Sequence, residues 1–135
     1  MAKRVLIVED DPDIGELLST RLRSVGLVTQ VAPDGTVALR LVREFRPHLV
    51  ILDLVLPVGG GYSVLRTLRA APETRQLPVI IFTVKDDEDL RKAVESLGVA
   101  AYIEKPYQHA REVIATVQRI LETMPADEEP ARGGS

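Results

Sequence analysis

Short apolar runs alternate along the chain with longer stretches in which apolar residues recur at helical spacing. The runs are too short for helices and are rich in β-branched residues, which favours buried strands. The predicted strands are Arg4–Val8, Val28–Ala32, Leu49–Leu52, Pro78–Phe82 and Ala100–Ile103. Runs such as LVIL and VIIF do not alternate apolar with polar positions, so we expect both faces of a parallel sheet to be covered.

The stretches between these runs predict five helices. Pro12 suits the first turn of the first helix, with Asp11 or Asp13 near its N-terminus. The later helices are predicted at 37–45, around 64–68, at 86–97 and at about 109–123. Pro47 is expected to end the second helix, and Gly59–Gly61 to form a mobile loop before the third.

Five strands that alternate with five helices predict the α/β class, with a doubly wound five-stranded parallel sheet. We expect one domain over residues 1–123. Residues 124–135 are expected to be a disordered tail or a linker stump, because PADEEPARGGS has no apolar periodicity. In open sheets of this type the working site lies at the carboxyl ends of the strands.

Composition narrows the classes of protein. The 135 residues are 45% apolar and 27% charged, which is typical of one soluble globular domain. A net charge of −3 argues against non-specific binding to nucleic acid or to an anionic membrane. The absence of cysteine excludes disulfides and thiolate chemistry. Since no apolar run approaches the roughly 20 residues of a membrane span and MAKR does not resemble a signal peptide, we expect a cytoplasmic location.

The predicted strand ends carry the candidate chemistry. Four carboxylates fall within the five positions EDDPD after the first strand, and Asp53 follows the third. Thr83 and Lys105 follow the fourth and fifth strands. Acids gathered at one rim cannot all stay ionised without a counterion. Because oxygen ligands favour a hard divalent cation, Mg²⁺ above all, we interpret the acids as a metal site beside one nucleophilic carboxylate.

The site set as a whole is similar to that of a known family. Glu9-Asp10, Asp53, Thr83 and Lys105-Pro106, in this order on these strands, resemble the receiver (CheY-like) domain of bacterial two-component response regulators. The resemblance covers roughly residues 3–123 and implies a flavodoxin-like (βα)5 fold with strand order 2-1-3-4-5. It also implies a domain that is phosphorylated by a sensor histidine kinase and then switches conformation. Such a domain is not a conventional enzyme, although it catalyses its own phosphoryl transfer and aspartyl-phosphate hydrolysis.

The resemblance assigns the acceptor and the metal ligands. Asp53 is implied to be the phosphoacceptor, which becomes an aspartyl phosphate. Asp10, Asp53 and the backbone carbonyl of Val55 are implied to bind Mg²⁺, while Glu9 acts mainly through water. These roles suit phosphoryl transfer, which needs alignment and charge neutralisation more than acid–base groups.

The resemblance also assigns a switch. Lys105 is implied to pair with the phosphoryl oxygens, and the Thr83 hydroxyl to shift towards them. Tyr102 occupies the position of the aromatic residue that turns inward when this hydroxyl moves. The bond between Lys105 and Pro106 is usually cis in the family.

Some positions depart from the family pattern or carry no predicted role. Val84 stands where a small residue is usual, and we expect it to narrow access to Asp53. Val55 and Lys85 occupy positions that set the lifetime of the acyl phosphate, so unchanged decay rates in their variants would contradict that role. The histidines, His48 and His109, are expected to be surface or helix-start residues rather than ligands.

Other classes of protein fit the sequence less well. Each of the strand-end features alone could have a purely structural role, as a turn residue or as the solvated start of a helix. Haloacid-dehalogenase-like phosphatases need a second Asp at position 55, which is Val. A flavodoxin-like electron carrier needs a Ser/Thr-rich phosphate loop where this chain has carboxylates, and Gly59–Gly61 lacks the spacing of a dinucleotide loop. A receiver-shaped interaction module that is never phosphorylated remains the alternative.

Partners are expected from the resemblance alone. A sensor histidine kinase or phosphotransfer protein is expected to dock on the helix from Ile14 to Val25. Output is expected through the face formed by the fourth helix, the fifth strand and the fifth helix, either to an effector or within a homodimer. Because about a dozen residues follow the last helix, we expect a partner protein or a missing effector domain to supply the output. No direct contact with nucleic acid or membrane is expected.

Overall fold

The computed structural model describes residues 2–57, 60–84, 88–106 and 109–124, which form five strands and five helices in alternation. The strands are β1 (Arg4–Val8), β2 (Val28–Ala32), β3 (Leu49–Leu52), β4 (Val79–Thr83) and β5 (Ala101–Glu104). The helices are α1 (Pro12–Ser24), α2 (Gly35–Glu44), α3 (Gly61–Ala70), α4 (Glu88–Leu97) and α5 (Ala110–Glu122).

The strands form one parallel sheet in the order β2-β1-β3-β4-β5. This topology confirms the predicted doubly wound α/β fold. In the register, Val8 lies beside Leu52, and Leu52 lies beside Ile81. The carboxyl ends of β1, β3 and β4 therefore meet at one edge of the sheet, where the predicted site residues follow.

The sheet is buried on both faces, which explains the apolar runs without alternation. Leu6 and Val8 of β1 belong to the cluster that packs against α2, α3 and α4. Val5 and Ile7 of the same strand belong to the cluster that packs against α1 and α5. Successive side chains of a strand point to opposite faces, so a central strand needs apolar residues at every position.

Two strands begin and end one residue later than predicted. Pro78 has no backbone N–H to donate, although its carbonyl accepts from the Val50 N–H at 3.0 Å, and the paired part of β4 begins at Val79. β5 extends to Glu104 because Glu104 pairs with Thr83 across the ladder.

The second helix ends before the proline that was expected to end it. α2 stops at Glu44, and Arg46 adopts a left-handed conformation with φ of 53°. A residue that precedes proline avoids the right-handed helical region, so the effect of Pro47 reaches back into the chain.

The remaining expectations concern the glycine loop, the start of the fourth helix and the tail, and they fall partly outside the described residues. Gly61, expected in a mobile loop, is the first residue of α3, while Gly59 lies outside the described residues. α4 is described from Glu88, so its predicted start at Asp86 also lies outside them. Of the tail predicted over residues 124–135, Met124 is ordered and packs against the cluster of α1 and α5, and the rest lies outside the described residues.

The prediction of His48 as a surface or helix-start residue is wrong. Its side chain is buried, and its Nδ1 accepts a hydrogen bond from the Arg4 N–H at 3.0 Å. The His48 N–H donates to the Arg4 carbonyl at 2.8 Å, so His48 prolongs the β1–β3 ladder at the amino end of a central strand. His109, in contrast, is exposed and occupies the N-cap position of α5, as predicted.

Two further expectations concern the backbone and the membrane. The described part of the chain has no cis peptide bond, so Lys105–Pro106 is trans here rather than cis. Trans is also the more stable form of an X–Pro bond, by about 0.5–1 kcal/mol. Within the described ranges, no helix is both long enough and apolar enough to cross a bilayer.

Candidate functional site

The acidic residues after β1 are held by the start of α1. Asp11 is the N-cap of this helix, and its Oδ1 accepts hydrogen bonds from the N–H groups of Asp13 and Ile14 at 2.9 and 3.4 Å. The Asp11 N–H in turn donates to Glu9 Oε2 at 3.1 Å. The cap is therefore Asp11 rather than Asp13, and it orients the buried Glu9 carboxylate.

Asp53 lies directly after the central strand β3 and is almost completely buried, with 4% of its surface exposed. Its N–H donates to the Val8 carbonyl at 3.0 Å, which continues the pairing with β1. Its Oδ1 accepts from the Val55 N–H at 3.0 Å and from the Thr83 hydroxyl at 2.8 Å. The bond to β1 thus fixes the backbone of Asp53, while the Val55 N–H and the Thr83 hydroxyl orient its carboxylate.

Lys105 bridges the two buried carboxylates. Its Nζ lies 2.7 Å from Glu9 Oε1 and 2.8 Å from Asp53 Oδ2. The Lys105 N–H donates to the Thr83 carbonyl at 2.7 Å, which holds the residue after β5 beside the end of β4. The Lys105 side chain therefore extends from the edge strand β5 to the centre of the sheet. Its positive charge compensates the buried negative charge of the two carboxylates.

The carboxylates can hold a metal ion. Among the described residues, Glu9, Asp10 and Asp53 each offer an oxygen, and these three oxygens lie within 4.8 Å of one another. Asp10 is exposed whereas the other two are buried, so the cluster opens to solvent on one side. An all-oxygen donor set with room for water fits a hard divalent cation.

Burial changes the protonation of two of these groups. Burial raises the pKa of Glu9 from 4.5 to about 7, against the opposing effect of its hydrogen bond with Lys105. Burial alone would lower the pKa of Lys105, but its hydrogen bonds with Asp53 and Glu9 outweigh burial and raise it. Lys105 is therefore charged at neutral pH, while Glu9 titrates near neutrality when no metal ion is bound.

The sequence did not reveal that Gly61 packs against the backbone that carries Asp53. The Gly61 N–H donates to the Leu54 carbonyl at 3.1 Å. A Cβ at this position would lie 2.1 Å from the Asp53 carbonyl oxygen and 2.6 Å from the Leu54 Cα. Helix α3 thus begins against the backbone of Asp53, and only glycine fits there. The run of three glycines suggested flexibility, and nothing in it indicated this close approach.

The structure brings together most of the predicted site residues. Lys105 contacts Glu9 and Asp53, and the Thr83 hydroxyl contacts Asp53. An oxygen of Asp10 lies within 4.8 Å of oxygens of Glu9 and Asp53. The Tyr102 ring, half-buried on β5, packs instead against the guanidinium of Arg91 of α4.

Two apolar residues border the site on the chain segments that follow Asp53 and Thr83. Val55 and Val84 are about half exposed, at 52% and 50%. The expected effects of Val84 on access and of Val55 on the lifetime of an acyl phosphate stay predictions. Lys85 lies outside the described residues.

Known proteins share both this sequence pattern and this fold. The response regulator receiver domain matches residues 5–118. The chain is 42% identical over 132 residues to the DNA-binding response regulator MtrA of Mycolicibacterium paratuberculosis, which covers 97% of this chain and 56% of that protein. The chain therefore spans little more than half the length of this curated relative.

Solved structures agree with this assignment. The signal receiver domain of a signal transduction histidine kinase from Syntrophus aciditrophicus has a TM-score of 0.84 and 30% identity, over 98% of this chain and 99% of that one. The Mn²⁺-bound form of response regulator Rcp1 has a TM-score of 0.75 and 27% identity, over 96% and 99% of the two chains. With the matched family covering most of its length, the chain belongs to the response regulator receiver domain family.

Proposed function

We propose that this chain is a phosphorylation-activated switch in which Asp53 accepts a phosphoryl group from the phosphohistidine of a sensor kinase or a phosphotransfer protein. One observation carries the proposal: the buried Asp53 carboxylate lies between the Thr83 hydroxyl and the Lys105 ammonium, within an acidic cluster that can hold a cation. Membership of the receiver family supports the same function.

The nucleophile needs no general base, because a carboxylate oxygen attacks through its own lone pair and has no proton to lose during the transfer. A carboxylate oxygen of Asp53 attacks the phosphorus, and a new O–P bond forms as the P–N bond of phosphohistidine breaks. The imidazole nitrogen keeps the electron pair of the broken bond and takes up a proton. The Val55 N–H, which donates to Asp53 Oδ1, keeps the carboxylate oriented during the attack.

Charge neutralisation is the main catalytic contribution in this account. In our proposal Asp10, Asp53 and the Val55 carbonyl would hold Mg²⁺, with Glu9 acting mainly through water, and the ion would supply positive charge against the phosphoryl oxygens. The response regulator Rcp1, which has a similar fold, is described in an Mn²⁺-bound form, and this supports a divalent cation as a ligand of this chain. Lys105 lies 2.8 Å from Asp53 Oδ2 and is positioned to transfer its hydrogen bond to a phosphoryl oxygen.

Phosphorylation then changes the contacts of Thr83. In the unphosphorylated structure the Thr83 hydroxyl donates to Asp53 Oδ1. We propose that this hydroxyl moves to a phosphoryl oxygen after the transfer. This movement leaves space into which Tyr102 turns. The added phosphoryl charge thus biases an element with two discrete arrangements, and hydrolysis of the acyl phosphate reverses the change.

The partners follow from the family. We propose that the kinase docks on α1 and that output passes through the face of α4, β5 and α5, to an effector or within a homodimer. MtrA is described as DNA-binding, but the match to it spans only 56% of that protein. In our proposal this domain therefore makes no direct contact with DNA, and an effector domain or a partner protein produces the response. A cytoplasmic location suits a kinase-dependent switch.

The test is phosphorylation by a small donor. Acetyl phosphate or phosphoramidate, with and without Mg²⁺, should add one phosphoryl group to the wild type, measured by intact mass. Asp53→Asn should abolish this addition, whereas Asp13→Asn, which removes an exposed carboxylate nearby, should not. Equal modification of Asp53→Asn would contradict the proposal. Failure of small donors, beryllofluoride and sensor kinases alike would favour the interaction module that is never phosphorylated.

A further inference from the structure

Arg91 makes three contacts on the α4–β5 face. Its guanidinium carbon lies 4.4 Å from the centroid of the Tyr102 ring. Its Nη1 lies 3.5 Å from Glu104 Oε1, and its Nε lies 3.6 Å from Glu95 Oε2. One half-exposed side chain therefore joins the ring of β5 to carboxylates of β5 and of α4.

The position of Arg91 follows from the sheet. Tyr102 and Glu104 are two residues apart on β5, so their side chains share the face that α4 covers. Glu104 pairs with Thr83 across the β4–β5 ladder, and Lys105, the next residue, contacts Asp53. Arg91 thus contacts Glu104, whose chain neighbour Lys105 and ladder partner Thr83 both bind Asp53. None of the three contacts of Arg91 itself involves Asp53.

We propose that Arg91 is a positioning residue that holds Tyr102 in its half-exposed orientation and must release the ring when the switch operates. The inference rests on the proposed function, since it gives Tyr102 two orientations. Inward rotation of the ring breaks the contact with the guanidinium, whereas the pairings with Glu95 and Glu104 keep Arg91 in place. Arg91 therefore favours the unphosphorylated arrangement.

The expected effect is a population shift. A cation–π contact at a partly exposed site corresponds to a factor of about two to five in an equilibrium constant. Arg91→Ala should therefore raise the fraction of inward Tyr102 by about two- to fivefold in the unphosphorylated protein. By linkage, affinity for beryllofluoride, which mimics the phosphoryl group on Asp53, should rise by a similar factor.

The chain offers a suitable probe because it has only three tyrosines and no tryptophan. With 3-fluorotyrosine incorporated, the Tyr102 resonance is assigned by its loss in Tyr102→Phe. In Arg91→Ala this ¹⁹F resonance should move, before any phosphorylation, towards its position in the beryllofluoride-bound wild type. Arg91→Lys, which keeps the charge but loses the planar stack, should give a smaller shift and guards against a folding defect in the alanine variant.

Two control variants are matched to Arg91→Ala. Arg66→Ala removes another arginine near a tyrosine, with its guanidinium carbon 5.9 Å from the Tyr62 ring centroid, and should leave the Tyr102 resonance unchanged. Lys92→Ala removes one positive charge from the adjacent position of α4 and should have no effect on beryllofluoride affinity. In a Tyr102→Leu background, Arg91→Ala should lose its effect on that affinity.

The outcomes separate this inference from the proposed function. An unchanged Tyr102 resonance and unchanged beryllofluoride affinity in Arg91→Ala would overturn the role of Arg91 and leave phosphorylation of Asp53 intact. An effect that persists in the Tyr102→Leu background would also overturn it, because Arg91 would then act through its charge alone. A wild type that binds no beryllofluoride and accepts no phosphoryl group would instead overturn the proposed function, and this inference with it.

Discussion

At the scale of single residues, the buried carboxyl of Glu9 links the site to the stability of the fold. Burial raises its pKa from 4.5 to about 7, because Lys105 only partly compensates the loss of hydration. The folded state therefore binds this proton more tightly than the unfolded state does. The resulting contribution to stability is complete below pH 4.5 and is lost as the pH rises through about 7.

The upward shift of the Glu9 pKa predicts how the stability of Glu9→Gln differs from that of the wild type in the absence of divalent cations. The wild type should lose free energy of unfolding relative to the variant between pH 4.5 and 8, by on the order of 2 kcal/mol. Urea denaturation in chelator at several pH values measures the difference. Glu16→Gln, which changes an exposed glutamate of α1, serves as the control. Parallel stability curves for the wild type and Glu9→Gln would contradict the assigned effect of burial.

Single residues also show what sequence can and cannot predict about the site. The strand-end positions of Asp53, Thr83 and Lys105 could be predicted because a parallel sheet brings its carboxyl ends to one edge. The burial of His48 could not, since the ladder that prolongs β3 towards Arg4 depends on strand register. The contact of Arg91 with Tyr102 depends likewise on how α4 packs on β5.

At the scale of elements, adjacent acids after β1 have different tasks. Asp11 caps α1 through the N–H groups of Asp13 and Ile14, whereas Asp10 is exposed beside the buried carboxylates. Asp11→Ala should lower the free energy of unfolding by about 1 kcal/mol and leave Mg²⁺-dependent phosphorylation intact.

Asp10→Ala should show the opposite pattern in the same two measurements. Stability in chelator should change little, because the side chain is exposed, while Mg²⁺-dependent phosphorylation by acetyl phosphate should be strongly reduced. Chemical denaturation and intact mass together separate the two roles. If Asp11→Ala abolished phosphorylation while Asp10→Ala retained it, the assignment would be reversed.

The start of α3 gives a second prediction at this scale. Gly61→Ala should destabilise the fold by about 3 kcal/mol, since its Cβ would lie 2.1 Å from the Asp53 carbonyl oxygen. It should also reduce phosphorylation, because the backbone that carries Asp53 must move. Thermal and urea denaturation measure the first effect, and intact mass after acetyl phosphate treatment measures the second.

Gly15 provides the matched control within α1. A Cβ there would meet only the Val31 side chain, at 3.1 Å from Cγ1, and Gly→Ala favours a helix interior by roughly 1 kcal/mol. Gly15→Ala should therefore stay within about 1 kcal/mol of the wild type and phosphorylate normally. A Gly61→Ala variant as stable as Gly15→Ala would contradict the close approach of α3 to Asp53.

The bounds of the elements were predictable where local chemistry decides them. β1, β2 and β3 have the predicted limits, because apolar runs and flanking turn residues mark them. The start of β4 depended on which groups of Pro78 join the ladder, and the end of α2 on how far the effect of Pro47 extends. Such details arise from hydrogen bonding between elements rather than from periodicity.

At the scale of the whole molecule, the sheet assembles one site from residues nearly a hundred positions apart, from Glu9 to Lys105. The apolar runs predict strands that are buried on both faces, and the carboxyl ends of such strands lie at the site. The distances that matter, 2.7 Å from Lys105 to Glu9 and 2.8 Å to Asp53, follow only from the register of β5 on β4. The same register places Tyr102 beneath α4.

The central claim is that Asp53 is the phosphoacceptor, and chemical trapping of the product tests it most directly. The wild type is treated with phosphoramidate and Mg²⁺, and borohydride then reduces the acyl phosphate to homoserine. Peptide mass mapping locates the reduced residue. We expect homoserine at position 53 alone, dependent on Mg²⁺ and absent without the donor. Homoserine at another acidic position, with position 53 unchanged, would contradict it.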